Sequence, residues 1–156
     1  MNPHTHFLFP FFIALVLYKL SILSFKFAII CGLIGMLVDL DHYVEHIIHS
    51  KSNRFSLLST WTNSIKLHRF VQRSFIHEGT GFTILTIIFM VVFLIDYKIA
   101  LILALGYYSH IYLDHLWVNK PHYFRFKISR FYFKESHFAI FLDIILVISS
   151  LIVYFI

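Results

Sequence analysis

Two short stretches hold residue types that can do chemistry, at spacings that let them act together. The first is Gly35-Met36-Leu37-Val38-Asp39-Leu40-Asp41-His42, where an apolar run meets polar sequence. Charge at such a boundary is costly unless a cation or a metal pairs with it. The second is Ser109-His110-Ile111-Tyr112-Leu113-Asp114-His115, at the matching end of a later apolar segment. His110 and Asp114 are i and i+4, so on a helix they share a face and can reach one ion. His115 points elsewhere. In the first stretch Asp39 and His42 are i and i+3, and His46 continues that face, while Asp41 and Glu45 lie on another. A helix that frays near Asp39 turns both aspartates inward. Carboxylates near a helix C-terminus oppose the macrodipole, which again asks for a cation. Carboxylate with imidazole suits Zn²⁺, Mn²⁺ or Fe²⁺, and a carboxylate-rich site also admits Mg²⁺. The plainer alternative is a hydrogen-bonded polar pair that only locks two helices together.

Further candidates flank these two. His77-Glu78 lies where a polar segment meets the next apolar run, and Glu78 is also well placed as a helix N-terminal residue. Arg73, four residues before His77, can hold a substrate anion by bidentate hydrogen bonds, or serve as an ordinary cytoplasmic anchor. His46, His49, His122 and His137 read as interfacial residues. His4 and His6 are too close to the start for spacing to assign them. There is no nucleophile elbow, no Gly-rich phosphate loop and no Cys–His arrangement. Water activated by a metal is the simplest chemistry left, and Asp39 and Asp41 could supply a bridging carboxylate to a paired-metal site.

The elements that must position these residues are membrane helices. Of 156 residues, 59% are hydrophobic and only 13% are charged, against roughly 25% charged in a soluble domain. Mean hydropathy is +0.78, so the bilayer is the expected solvent. The single cysteine, Cys31, excludes an internal disulfide framework and a Cys-based zinc site. The expected fold is all-α, a polytopic membrane helical bundle of one domain over 1–156. About five helices are expected, near 7–20, 25–48, 80–95, 99–118 and 137–156, with a turn near Ser21 to Ser24. A single steep span over 7–38 is the alternative. The polar segment 50–78 reads as a loop plus a short interfacial helix, and 119–136 as a basic, aromatic segment at headgroup level.

The net charge of +5 reads as the positive-inside signal and attraction to anionic lipid, with no nucleic acid as partner. Ten of the thirteen Lys and Arg lie in 50–78 and 119–136, which leaves Lys19, Lys26 and Lys98 for the far side. That makes the basic side cytoplasmic, and with it the N-terminus, the histidines and six of the eight acidic residues. The expected location is the inner or plasma membrane, multi-pass, with the polar site on the cytoplasmic side.

Thr5-His6, Gly35-x3-Asp39-Leu40-Asp41-His42, Arg73-x3-His77 and Ser109-His110-x3-Asp114 together resemble the LexA-regulated inner-membrane proteins regarded as metal-dependent hydrolases. The motifs run in that family's order over residues 5 to 115. Val38 stands where the family has Pro, Gln72 where it has His, and Glu78 where it has Ser. His68-Arg69 is an alternative His-Arg pair at altered spacing. The resemblance implies a hydrolase with His6, Asp39, Asp41, His42, His77, His110 and Asp114 as metal ligands or bases. Asp41, His77 and Glu78 would then be catalytic, and Arg73 would orient the substrate. The metal expected is a divalent ion, Zn²⁺ before Mn²⁺, Fe²⁺ or Mg²⁺. The His-x3-Asp element is also similar to one in zinc phospholipases C, which makes a phosphoester, including a lipid, the preferred substrate. A membrane di-iron redox enzyme is a weaker reading, because no His-x-x-His-His cluster occurs. A non-enzymatic metal-binding or adaptor protein is the third. Transport fits poorly, since Asp143 is the only charged residue well inside a span.

Overall fold

The computed structural model describes residues 3–62, 75–117, 123–128 and 131–156. In chain order the elements are α1 (Pro3–Lys19), α2 (Phe25–Leu37), α3 (Leu40–His49), α4 (Leu57–Trp61), a 3-10 turn (Phe75–His77), α5 (Gly79–Ile95), α6 (Tyr97–Trp117), β1 (Tyr123–Ile128), β2 (Phe131–Ser136) and α7 (His137–Phe155). The architecture is helical. The addition to the sequence expectation is in the second basic segment, where β1 and β2 pair antiparallel from Tyr123↔Ser136 to Ile128↔Phe131. Ser136 ends that hairpin and starts α7, its hydroxyl accepting from the Ala139 amide at 3.1 Å.

The first two helices form a hairpin. Ser21 takes a positive φ of 61°, and the Ile22 amide donates back to the Leu17 carbonyl at 2.9 Å. α2 then packs against both α1 and α6, which also touch each other, while α7 packs on α1 and α5 on α6. Between apolar helices in lipid there is little hydrophobic drive, so close backbone approach matters. Gly106 on α6 supplies one such approach, because a Cβ there would stand 2.6 Å from the Ile34 side chain of α2. The buried core lies between these helices and is built on Ala14, Leu15, Leu23, Ala28, Cys31 and Ile102.

The stretch expected as one helix over 25–48 divides at one point into α2 and α3. Val38 and Asp39 form a tightened joint, with the Asp41 amide reaching back to the Val38 carbonyl at 3.4 Å and the His42 amide to the Asp39 carbonyl at 3.1 Å. Three-residue reach in place of four overwinds the chain locally and re-aims the side chains that follow. Two stretches are long and apolar enough to cross a membrane, Phe25–His49, which runs through the joint, and His137–Phe155; α5 is apolar but has 17 residues. Large apolar side chains stand exposed along α5 and α7, with Leu94 at 85% and Phe155 at 79%. Water would not tolerate so much contiguous apolar surface, whereas lipid does.

Candidate metal centre

His110 is fixed first. It is fully buried on α6, and its Nδ1 lies 2.8 Å from the Gly35 carbonyl of α2. A carbonyl can only accept, so Nδ1–H donates and the lone pair of the neutral ring sits on Nε2. Gly35 reaches this place because of α1. Pro10 has no N–H to give the His6 carbonyl one turn earlier. The bare Gly35 packs against that carbonyl so closely that a Cβ would lie 2.4 Å from it.

His77 is fixed in the same manner from the opposite side. Its Nδ1 lies 2.7 Å from Asp41 Oδ2 on α3, so the Nδ1–H donates and Nε2 turns inward. The two Nε2 atoms face each other at 3.1 Å. Asp114 Oδ2 lies 3.3 Å from His110 Nε2 and 3.4 Å from His77 Nε2. Two imidazole lone pairs and a carboxylate oxygen therefore converge, an arrangement that repels itself unless a proton or a cation lies between. The separations carry information. Metal–ligand bonds of about 2.0–2.1 Å in a tetrahedral site put neighbouring ligand atoms about 3.3–3.4 Å apart. The triangle has the size of one face of such a tetrahedron.

Asp39 and His6 complete the centre. Asp39 Oδ1 lies 3.5 Å from His110 Nε2. His6 stacks on the His110 ring at 3.9 Å between centroids, and its Nε2 lies 3.2 Å from Asp114 Oδ1. His6 is fully buried, and its Nδ1 has no hydrogen-bond partner among the described residues. A buried, unsatisfied imidazole nitrogen is costly. Its place beside the converging donors fits a cation. His6, Asp39, His110 and Asp114 offer donor atoms all within 4.8 Å of one another, and so do Asp39, Asp41 and His42. Partners on the far nitrogen that fix tautomer and ring orientation are the usual support of metal-ligating histidines, and Gly35 and Asp41 supply them here.

Burial alone would push the His77 imidazole down. Its hydrogen bonds to Asp114 and Asp41, with the charge of both carboxylates, outweigh that and raise it to about 9.

Of the residues named from the sequence, by spacing or, for His6, by the resemblance, the geometry brings together His6, Asp39, Asp41, His42, His77, His110 and Asp114. Glu78 stands apart from them. It is exposed, it starts α5 without a side-chain cap bond, and among the described residues it has no bond or ion pair to the cluster. Arg73, with His68, Arg69 and Gln72, lies outside the described residues. His46 is corrected, from interfacial to buried, with its Nε2 3.3 Å from the Asn53 carbonyl. His115 and His137 are exposed.

Sequence reasoning missed the support around His6. Asp143 on α7 accepts from the Thr5 hydroxyl at 3.1 Å and pairs with His4 Nε2 at 2.9 Å. The one acid inside the last span therefore holds the first turn of α1, from which His6 projects. A Thr-His pair near the start opposite a lone intramembrane Asp was the available signal.

Helices of membrane length and a lipid-compatible surface define an integral membrane protein, and it carries a His/Asp cluster at one end. A family model described as YdjM inner membrane protein matches residues 1–152, and the chain belongs to that family. No curated protein and no solved structure matches it.

Proposed function

We propose that this inner-membrane protein is a metal-dependent hydrolase of phosphoesters, including lipid phosphoesters, acting at the cytoplasmic interface. The observation that carries the reading is the triangle of His77 Nε2, His110 Nε2 and Asp114 Oδ2, with sides of 3.1, 3.3 and 3.4 Å. Those three atoms and Asp39 would hold the ion, Zn²⁺ before Mn²⁺, Fe²⁺ or Mg²⁺. The bound ion would polarise the scissile group and lower the pKa of a water molecule to about 7. His6 steadies Asp114 from behind. Asp41 holds His77 in the ligating tautomer and would accept a proton from the attacking water. Arg73 keeps the role its sequence position gives it, orienting the substrate anion.

The five-helix, multi-pass reading belongs to the same proposal. At 1.5 Å per residue, 17-residue α1 and α5 reach about 26 Å and 21-residue α6 about 32 Å, against a hydrocarbon core of about 30 Å. Lys19 and Lys26 can snorkel at the far surface. The loops rich in Lys and Arg then face the cytoplasm, on the side of the metal centre.

A structural lock is the competing reading, and one observation favours it. A proton on His77 shared with His110 at 3.1 Å would also satisfy the cluster and tie α6 to the segment before α5. The test is hydrolysis of a chromogenic phosphoester by detergent-purified protein loaded with Zn²⁺, compared with the same protein after chelation. We expect activity that chelation abolishes and Zn²⁺ restores, and a fall of about 100-fold or more in Asp114→Ala. A wild-type protein that binds no metal leaves the lock.

A further inference from the structure

Asp39 stands on the joint between α2 and α3 and faces two sets of donors at once. Its Oδ1 lies 3.5 Å from His110 Nε2 on α6 and 3.8 Å from His42 Nε2 on α3. Asp39 begins α3, yet its side chain makes no capping bond, so the carboxylate is turned to the imidazoles. The donors sort around it. His6, His110 and Asp114 form one group and Asp41 and His42 another, with Asp39 common to both. His77 runs along the seam. Its Nε2 faces His110 and Asp114, its Nδ1 binds Asp41 Oδ2 at 2.7 Å, and its ring lies over His42 at 6.0 Å.

We propose that the centre takes two divalent cations bridged by Asp39, an inference that rests on the metal reading above and extends it from one ion to two. The first ion takes His77, His110, Asp114 and Asp39. The second takes Asp39, Asp41 and His42. Ions in paired hydrolytic sites stand about 3.5–4 Å apart, a gap one carboxylate bridges, and such pairs clamp the attacking and leaving oxygens of a displacement. Charge points the same way. Asp39, Asp41 and Asp114 bring three negative charges; one divalent ion leaves the set net negative, whereas two leave it net positive, as an anionic phosphoester requires. The two positions differ in access. The His110 side chain is fully buried, while that of His42 is 39% exposed. With the exposed His42 among its ligands, the second ion would exchange faster and bind more weakly.

The test is equilibrium dialysis of the detergent-purified full chain against Mn²⁺, with bound metal counted by mass spectrometry and coupling read by electron paramagnetic resonance. Expected are two ions per chain with an exchange-coupled signal. His42→Ala should hold one ion and give an isolated-ion signal. His42→Gln serves the same purpose if the alanine variant fails to fold, judged by circular dichroism and gel filtration. Wild type saturating at one uncoupled ion, or His42 variants still holding two coupled ions, overturns the paired site and leaves the single-metal hydrolase standing. Wild type with no bound ion overturns both.

Discussion

A histidine held between two carboxylates behaves differently with and without a cation, and His77 is placed to show it. In the metal-free protein its raised pKa, about 9, keeps a proton on the ring at neutral pH. A folded-state pKa above the ordinary 6.5 means that protonation favours the folded form. That stability is fully present below about pH 6.5 and is lost as pH rises through about 9. Metal reverses the requirement, because a ligating imidazole is neutral. Thermal unfolding of metal-free protein in detergent should therefore weaken between pH 6.5 and 9, and saturating Zn²⁺ should flatten the profile over that range. Asp41→Asn removes one of the charges that raise His77 and should move the metal-free loss toward lower pH. A pH-independent metal-free protein would sink this account. Residues of this kind were legible in part. His110 and Asp114 follow from i,i+4 spacing, and the Asp39–His42 stretch from charge at a boundary. The Gly35 carbonyl that orients His110 was not legible, because a backbone acceptor has no residue signature. Glu78, the residue before α5, lies outside the cluster, because adjacency to His77 in the chain does not fix where a side chain points.

At the scale of elements, the centre exists because α1, α2 and α6 approach closely at the right height. Pro10 withholds an N–H from the His6 carbonyl, Gly35 packs on that carbonyl, and Gly35 passes its own carbonyl to His110. A Cβ at Gly35 would meet the His6 carbonyl at 2.4 Å and Pro10 Cγ at 2.7 Å. Backbone and a proline ring cannot yield as a flexible side chain does, so the helices must part. Gly35→Ala should cost about 1–3 kcal/mol and lower metal affinity as well, because the orienting carbonyl moves with the backbone. Gly79→Ala is the control. Nothing lies within 4 Å of a Cβ there, and the change should be neutral or stabilise α5 by up to about 1 kcal/mol. Chemical unfolding and Zn²⁺ titration of both variants check the pair; equal effects on metal binding would remove Gly35 from the site's support. The helical class was readable from apolar runs, and so was the turn at Ser21. The joint at Val38–Asp39 was drawn only as possible fraying, because Val38 carries no breaker signal where a proline would have marked the bend. The hairpin of β1 and β2 was hidden because its alternation of aromatic and basic residues also suits a segment lying on headgroups.

The whole molecule has a polar end and an apolar body, and its orientation decides what the centre can meet. The joint, the 3-10 turn and the C-terminal part of α6 gather at one end, and in the sequence the stretches rich in Lys and Arg adjoin that end. The opposite end carries the Ser21 turn and Asp96, whose Oδ1 accepts from the Lys98 amide at 2.8 Å and starts α6. If the positive-inside rule governs the chain, the first end is cytoplasmic, and both the Ser21 turn and the α5–α6 turn face outward. Cysteine accessibility tests this directly. The native Cys31 is buried and stays silent, while Ser21 and Ser52 are exposed. In intact cells a membrane-impermeant thiol reagent should label Ser21→Cys and Tyr97→Cys, and should reach Ser52→Cys only after permeabilisation. The Ser21 result also separates a hairpin over the first two helices from a single steep span, since a single span leaves Ser21 within the bilayer and unlabelled under both conditions. Labelling of Ser52→Cys from outside would turn the molecule over. The metal centre would then face the periplasmic leaflet, and a phosphoester substrate would have to be sought on that side of the membrane.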